Sequence, residues 1–461
     1  MHNGATAIHF LGVCGTAMGA VAAAMAGRGW QVTGSDAKCY PPMSDFLRTT
    51  GIGLREGYDP ANIPDGCNLV VVGNAISRGN PEVEAVLDRK LEYLSLPEAL
   101  RRFFLIGKHN HVVCGTHGKT TTTSMLAWMM DNAGRDPGFM IGGIPRNFSQ
   151  GARFTASSHV VLEGDEYDTA FFDKRSKFLH YLPEVVVINN IEFDHADIYH
   201  NLDEIILSFS RLVRIVPRNG VILLNGDDAN CLRAAENPPA PVCRVGFGES
   251  CDLRIRDVRY LPGHSVFMLG ANEFTVRMDG EFNVRNAAMA AAAALHTGID
   301  AATIQRALDS FGGISRRQEL RGEKNGVKVV DDFAHHPTAI RLAIASMRQR
   351  YPGSRVWAIF EPRSNTTRRN IFQNELADAL AGADRVVLAE VEDPGKVPVG
   401  ERLDPQALIA AVRQRGPDAW LESGADAIVA RTIPQTASGD VLLVLSNGGF
   451  GGIHRKLIEA L

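Results

Sequence analysis

The sequence predicts an α/β protein of three domains, and three observations carry that prediction. The chain has 461 residues, too many for one ordinary core, and a division by about 150 residues suggests three domains. A strand-turn-helix pattern restarts three times along it, as doubly wound α/β domains do. The middle restart holds a glycine-rich loop between an apolar strand and a helix, the arrangement that cradles phosphate.

The first restart is the strand Ala7 to Gly12, the turn Val13-Cys14-Gly15 and a small-residue helix from about Thr16 to Gly27. A second strand, Trp30 to Asp36, puts the Asp36 carboxylate at its C-terminal end, where a nucleotide's ribose or base would lie. Asn68 to Gly73 supplies a later strand, and the domain ends near Arg101-Arg102-Phe103-Phe104. The stretch Gly12 to Gly19 departs from GxGxxG because Cys14 takes the middle-glycine place. It points to a diphosphate-bearing ligand on the first helix and only weakly to NAD. Ile8 to Gly27 is free of charge, as a signal peptide or membrane span would be. No Lys or Arg precedes it, and four glycines interrupt it, which argues against both.

The second restart enters from His111-Val112-Val113-Cys114 into Gly115-Thr116-His117-Gly118-Lys119-Thr120-Thr121-Thr122. Its backbone N–H groups can converge on an anion, Lys119 adds positive charge, and Thr120 can ligate magnesium. Val113 stands where the first glycine of GxxxxGK[ST] would be. Further strands are expected at His159 to Glu163, Glu184 to Ile188 and Gly220 to Leu224, then antiparallel ribbons over 241–282, then a helix opening at Asn283 to Asn286. The third restart follows Ser315-Arg316-Arg317, with strands near 327–330, 356–360, 385–389 and 441–445.

Chemistry-bearing residues collect after strands. Glu163 opens Glu163-Gly164-Asp165-Glu166-Tyr167-Asp168, either as a magnesium ligand beside the loop or as part of a solvated acidic turn. His195, in Asn189-Asn190-Ile191-Glu192-Phe193-Asp194-His195-Ala196-Asp197, suits a metal or phosphate contact or a structural role. Asn283 and Asn286 could cap a helix or read a base edge. Asp331 and Asp332, before His335-His336-Pro337, could cap the next helix or hold a ribose hydroxyl.

Charged residues make up 22% of the chain and the net charge is −4, with no basic block, so nothing favours nucleic acid or a membrane surface as partner. Seven cysteines with no CxxC pair fit reduced thiols of a cytoplasmic protein better than disulfides or zinc.

Six islands occur in the order found in the Mur ligase superfamily, the ATP-dependent amide-bond-forming enzymes of bacterial cell-wall synthesis, and the whole chain resembles it. They are Gly115 to Thr122, Glu163 to Glu166, Asp194-His195, Phe282 to Ala287, Arg317 with Glu319, and Asp332 to Pro337. The resemblance implies a Rossmann-like N-terminal domain for a UDP-sugar (1–106), a central P-loop ATPase-like domain (107–314) and a Rossmann-like C-terminal peptide-binding domain (315–461). It implies ATP held by Gly115, Thr116, His117, Gly118, Lys119, Thr120, Thr121, Asn283, Asn286, Arg317 and Asp332. It gives Mg2+ the ligands Thr120, Glu163 and His195, and makes Lys119, Glu163 and His195 catalytic.

Within the superfamily the chain is similar to the branch acting on UDP-N-acetylmuramate, which Gly12, Cys14, Gly15, Thr16 and Asp36 would contact. Gly12 to Thr16, Tyr40-Pro41-Pro42-Met43-Ser44, Phe360 to Thr366 and Ser446 to Gly452 resemble members that add the murein tripeptide L-Ala-γ-D-Glu-meso-diaminopimelate, a recycling reaction. Members that add L-alanine carry His-Arg-Tyr where this chain has Arg363-Ser364-Asn365; L-alanine addition is the alternative. Arg363 is the expected carboxylate clamp, with Asn365 and Asn447 as further peptide contacts. Asn201 to Pro217 contains no lysine, so the carbamylated lysine of several members is not expected. The implied reaction passes through an acyl phosphate, with closure of the third domain as part of catalysis. An NAD oxidoreductase would leave the phosphate loop without a role, and a regulatory or transport ATPase would leave the first domain without one.

Overall fold

The computed structural model describes residues 7–39, 43–196, 198–392, 395 and 397–461. Tyr40, Pro41, Pro42 and Asp197, singled out above, lie outside the described residues. The chain divides into two compact units: Met1–Ile191, Asp203–Leu253 and Met289–Ala307 form one, and Glu192–Leu202, Arg254–Ala288 and Leu308–Leu461 form the other.

Among the described residues, unit one holds two large, mainly parallel sheets and one two-stranded hairpin. The first is wholly parallel, in the order Gly53–Glu56, Gln31–Asp36, Ala7–Leu11, Leu69–Val72, Tyr93–Ser95. Its central strand buries Ile8, Phe10 and Leu11 completely, as expected where helices cover both faces. The helix Thr16–Ala26 follows that strand directly. In the second sheet the strands Val242–Gly246, Val221–Asn225, Val185–Ile188, His109–Cys114, His159–Gly164 and Gly138–Met140 run parallel, and Ala152–Arg153 closes the edge antiparallel. The expectation of antiparallel ribbons from residue 241 is therefore corrected at its start. Val242–Gly246 joins Val221–Asn225 in parallel, and antiparallel pairing begins only with Leu253–Leu261. A hairpin of Asp168–Ala170 with Asp173–Ser176 was not expected.

Unit two carries the antiparallel ribbon Leu253–Leu261, His264–Leu269, Asn272–Val276 and a six-stranded sheet. That sheet runs Glu319–Lys324, Val327–Asp332, Val441–Leu445, Val356–Phe360, Arg385–Ala389, Asp418–Glu422, antiparallel only at its first edge. Val/Ile/Leu runs bury both faces of its central strands, with Phe360 on one side and Trp357 on the other. The C-terminal strand ends line up: Asp332, Leu445 and Phe360 are register partners across three neighbouring strands. Asp331 and Asp332 thus belong to their strand rather than following it. Among the described residues no helix is long and apolar enough to cross a membrane.

Candidate active site

The phosphate loop leaves the strand His109–Cys114 and enters the helix Lys119–Asn132. Gly115 and Gly118 adopt φ of +133° and +79°, which L side chains rarely reach. The end of the neighbouring strand shapes the loop. Asn190 accepts the Thr116 N–H with its carbonyl (3.0 Å) and the His117 N–H with its side-chain oxygen (2.8 Å). Its amide returns a bond to the His117 carbonyl at 3.1 Å, and Asn189 donates to the Thr122 hydroxyl at 2.9 Å. Thr121 is buried in the first helical turn.

Two acid pairs sit over this turn. Lys119 Nζ lies 2.9 and 3.0 Å from the Glu166 carboxylate oxygens and 2.7 Å from the Gly115 carbonyl. Burial pulls the ammonium down in pKa, but the Glu166 charge, then Asp165 and Glu163, outweigh it and hold Lys119 protonated. The Thr120 hydroxyl donates to Glu163 Oε1 at 2.8 Å, and the Gly142 N–H donates to Oε2 at 2.6 Å. Burial, then Asp165, raises the Glu163 carboxyl, while Gly142, Lys119 and Thr120 oppose the rise. A hydroxyl and a carboxylate oxygen side by side at a helix N-terminus are the hard donors that magnesium takes.

In the first sheet, Gly12 and Val13 N–H donate to the Ser35 carbonyl at 2.8 and 3.1 Å, and Cys14 N–H donates to Asp36 Oδ2 at 2.9 Å. Gly15 is the helix N-cap and Thr16 the first helical residue. Burial, then the hydrogen-bonded Cys39 thiol, pushes the Cys14 thiol up to about 12. Beneath this loop the buried Glu82 gathers His9, Ser35, Asn62 and the Asp59 N–H, a brace with no signal in the sequence.

In unit two, Asp332 accepts the Ala334 and Gln318 N–H groups at 2.7 and 3.0 Å, and burial raises its carboxyl against the nearby Arg317. The Arg317 guanidinium lies 4.9 Å from the centre of the Phe333 ring. Arg316, at φ +63°, donates to the Ser446 and Gly448 carbonyls at 2.8 and 2.7 Å. Ser446 donates to buried Glu361, which also lies 3.8 Å from Arg363. Arg363 crosses Gly448 so closely that a Cβ there would stand 2.4 Å from its Cδ. Asn365 is exposed and Asn447 half-buried. Asn283 and Asn286 are both buried within the helix Glu281–His296, and Asn283 gives its amide to the Asp279 carbonyl at 2.8 Å.

His195 holds φ +56°, and its N–H donates to the buried Asp194 carboxylate at 2.7 Å. Burial would raise that carboxyl, but His195, His335 and His336 hold it far below the usual range. His336 caps the helix Pro337–Arg350, its Nδ1 accepting from Thr338 N–H while Nε2 donates to the Phe193 carbonyl at 3.2 Å. Lys119, Thr120 and Glu163 lie in unit one, whereas His195, Asn283, Asn286, Arg317 and Asp332 lie in unit two. The sequence did not single out the side chains of Glu166, Asn189, Asn190 and Arg316, which the structure places against Lys119, the phosphate loop and the Ser446–Gly448 turn. Their proximity in sequence to Glu163, His195 and Arg317 was the available signal.

Three family descriptions match the chain in succession: "Mur ligase family, catalytic domain" over residues 7–105, "Mur ligase middle domain" over 113–294 and "Mur ligase, glutamate ligase domain" over 316–448. A UDP-N-acetylmuramate–L-alanyl-γ-D-glutamyl-meso-2,6-diaminoheptandioate ligase of Escherichia coli (strain K12) is 43% identical over 462 residues, 98% of each chain. A UDP-N-acetylmuramate–L-alanine ligase of Rubrobacter xylanophilus is 36% identical over 395 residues, 85% of each. The crystal structure of a murein peptide ligase from Psychrobacter arcticus 273-4 superimposes with a TM-score of 0.72 at 36% identity, covering 99% of this chain and 98% of that one. With an ordered set of three domains, a phosphate loop braced by acids and full-length relatives in agreement, the chain belongs to the Mur ligase family.

Proposed function

We propose that the chain is an ATP-dependent ligase that joins UDP-N-acetylmuramate to L-Ala-γ-D-Glu-meso-diaminopimelate in the cytoplasm, as part of peptidoglycan recycling. The observation that carries this reading is the full-length likeness to a ligase named for that tripeptide, greater in identity and coverage than the likeness to the L-alanine ligase. The alternative, L-alanine addition, has the shared UDP-sugar domain in its favour.

The domains run 1–106, 107–314 and 315–461 in this reading. Gly12, Cys14, Gly15, Thr16 and Asp36 hold the UDP-sugar. The loop Gly115 to Thr121 takes the ATP phosphates, and Asn283, Asn286, Arg317 and Asp332 take the rest of the nucleotide. Thr120 and Glu163 fit a magnesium ion by their donor chemistry, and His195 serves a second metal position. The metal supplies charge neutralisation at the phosphate oxygens. The muramate carboxylate attacks the γ-phosphorus, ADP leaves, and the resulting acyl phosphate is attacked by the tripeptide's L-alanyl amine, releasing phosphate. Lys119 neutralises charge developing on the β- and γ-phosphate oxygens, so the work of the protein is positioning and electrostatics. Arg363 clamps a peptide carboxylate, with Asn365 and Asn447 beside it.

ADP release is measured with UDP-N-acetylmuramate alone, then with tripeptide or L-alanine added. Release that requires both the UDP-sugar and the tripeptide is expected. Release independent of any amine counts against a ligase, and product formation with free L-alanine alone overturns the tripeptide assignment.

A further inference from the structure

We propose that Thr366 is a positioning residue: through one hydrogen bond to Asp194 it couples the peptide-side loop to the backbone of His195. The proposal rests on the reading above, in which Arg363 and Asn365 meet the peptide and His195 serves the phosphate end.

Asp194 Oδ1 is shared. It accepts the His195 N–H at 2.7 Å and the Thr366 hydroxyl at 3.0 Å, across 172 positions of sequence. Both side chains are buried, Asp194 at 5% and Thr366 at 3% exposure, so water does not compete freely for that oxygen. His195 sits in the left-handed region at φ +56°. A non-glycine residue held there is strained and persists only where its surroundings hold it. The carboxylate that caps its N–H is one such hold, and Thr366 fixes the orientation of that carboxylate.

On the other side of the bond, the peptide-side loop is closed on itself. Ser364 Oγ accepts the Thr367 N–H at 3.0 Å, the Ser364 carbonyl accepts the Arg368 N–H at 3.1 Å, and the Thr366 carbonyl accepts the Arg369 N–H at 3.1 Å. A displacement at Arg363 or Asn365 therefore carries to Thr366 instead of dissipating in a slack turn. The Asp194 segment has further anchors, among them the His336 bond to the Phe193 carbonyl, the Phe372 ring against His336 and Phe193, and the Ile198 and Tyr199 N–H groups on the His195 carbonyl. Loss of the Thr366 hydroxyl then loosens His195 without undocking the segment.

The test compares Thr366→Val and Thr366→Ala, which lack the hydroxyl, with Thr366→Ser, which keeps it. In the ligand-free enzyme, amide hydrogen exchange of the peptide spanning residues 192–200 is expected to quicken in Val and Ala and to stay at the wild-type rate in Ser. In steady state, kcat is expected to fall about tenfold in Val and Ala, KM for the tripeptide to rise, KM for ATP to stay unchanged, and Ser to restore all three. Unchanged exchange in Val and Ala overturns the proposal, as does a Ser variant that fails to rescue. The exchange result stands apart from the assignment of function, which fails instead if wild-type enzyme shows no tripeptide-dependent ADP release.

Discussion

Lys119 and Glu166 show how much one buried pair can carry. Their side chains are 10% and 3% exposed, so neither charge is screened freely by water and each faces an opposite charge at hydrogen-bond distance. Removing one partner of such a pair leaves an uncompensated buried charge. Glu166→Ala is expected to lower the urea unfolding free energy by roughly 3 kcal/mol, and ADP, by presenting phosphate to Lys119, to restore part of the loss. At Gly448 an added methyl group would meet Arg363 directly. Gly448→Ala is therefore expected to raise KM for the tripeptide about tenfold or more, with KM for ATP unmoved in the same assay. Individual residues were legible where a strand ended on them: Glu163 and Asp332 follow apolar runs. Glu166 was not, because its neighbourhood holds four carboxylates in six residues and only the fold decides which one faces the lysine. Nor could sequence pair Asp194 with Thr366, since their contact is made entirely by tertiary structure.

At the scale of an element, the strand His109–Cys114 joins the glycine loop at one end to a pH-sensitive histidine nearer the other. Its N-terminal half buries His111, whose Nε2 lies 3.3 Å from His159 Nδ1. Burial, then the charges of His159, His109, Arg135 and His296, hold the His111 pKa down at about 3. In the unfolded chain the imidazole titrates near 6.5. Its contribution to stability is therefore complete above pH 6.5 and declines as pH falls toward 3, by about 1.4 kcal/mol per pH unit. His111→Leu is expected to flatten that acid limb in chemical denaturation measured from pH 7 to 4. Elements with long apolar runs were legible, and the strands at 7, 111, 159, 185, 221, 356, 385 and 441 begin within about two residues of expectation. Short, polar or edge strands were not: Gly53–Glu56, Asp168–Ala170 and Glu319–Lys324 carry little alternation, and their pairing comes from neighbours. Val242–Gly246 was seen as a strand region but in the wrong sense, because parallel and antiparallel partners leave the same composition in so short a run.

Across the whole molecule, the residues proposed for the UDP-sugar lie in one compact unit and those for the peptide in the other. A chain of several domains need not unfold in one step. UDP-N-acetylmuramate at a hundredfold excess over its Kd is expected to stabilise the first unit by about 2.7 kcal/mol. Hydrogen exchange should slow over residues 7–39 and 43–105 with little change over 385–461. Protection confined to the second unit would contradict the assignment of the UDP-sugar. The domain order was legible from three restarts of one pattern, whereas the division into two units follows from contacts between distant segments. The Lys119–Glu166 pair bears on the cell in a different way. The lysine is already neutralised, so an entering anion must exchange with a carboxylate rather than simply settle on a bare cation. A lone orthophosphate gains little from that exchange. A polyphosphate that also met the backbone N–H groups of the helix N-terminus would recover the loss there. On the proposed reading, the buried glutamate thus sets a threshold that an anion carrying several phosphates crosses more readily than one carrying a single phosphate.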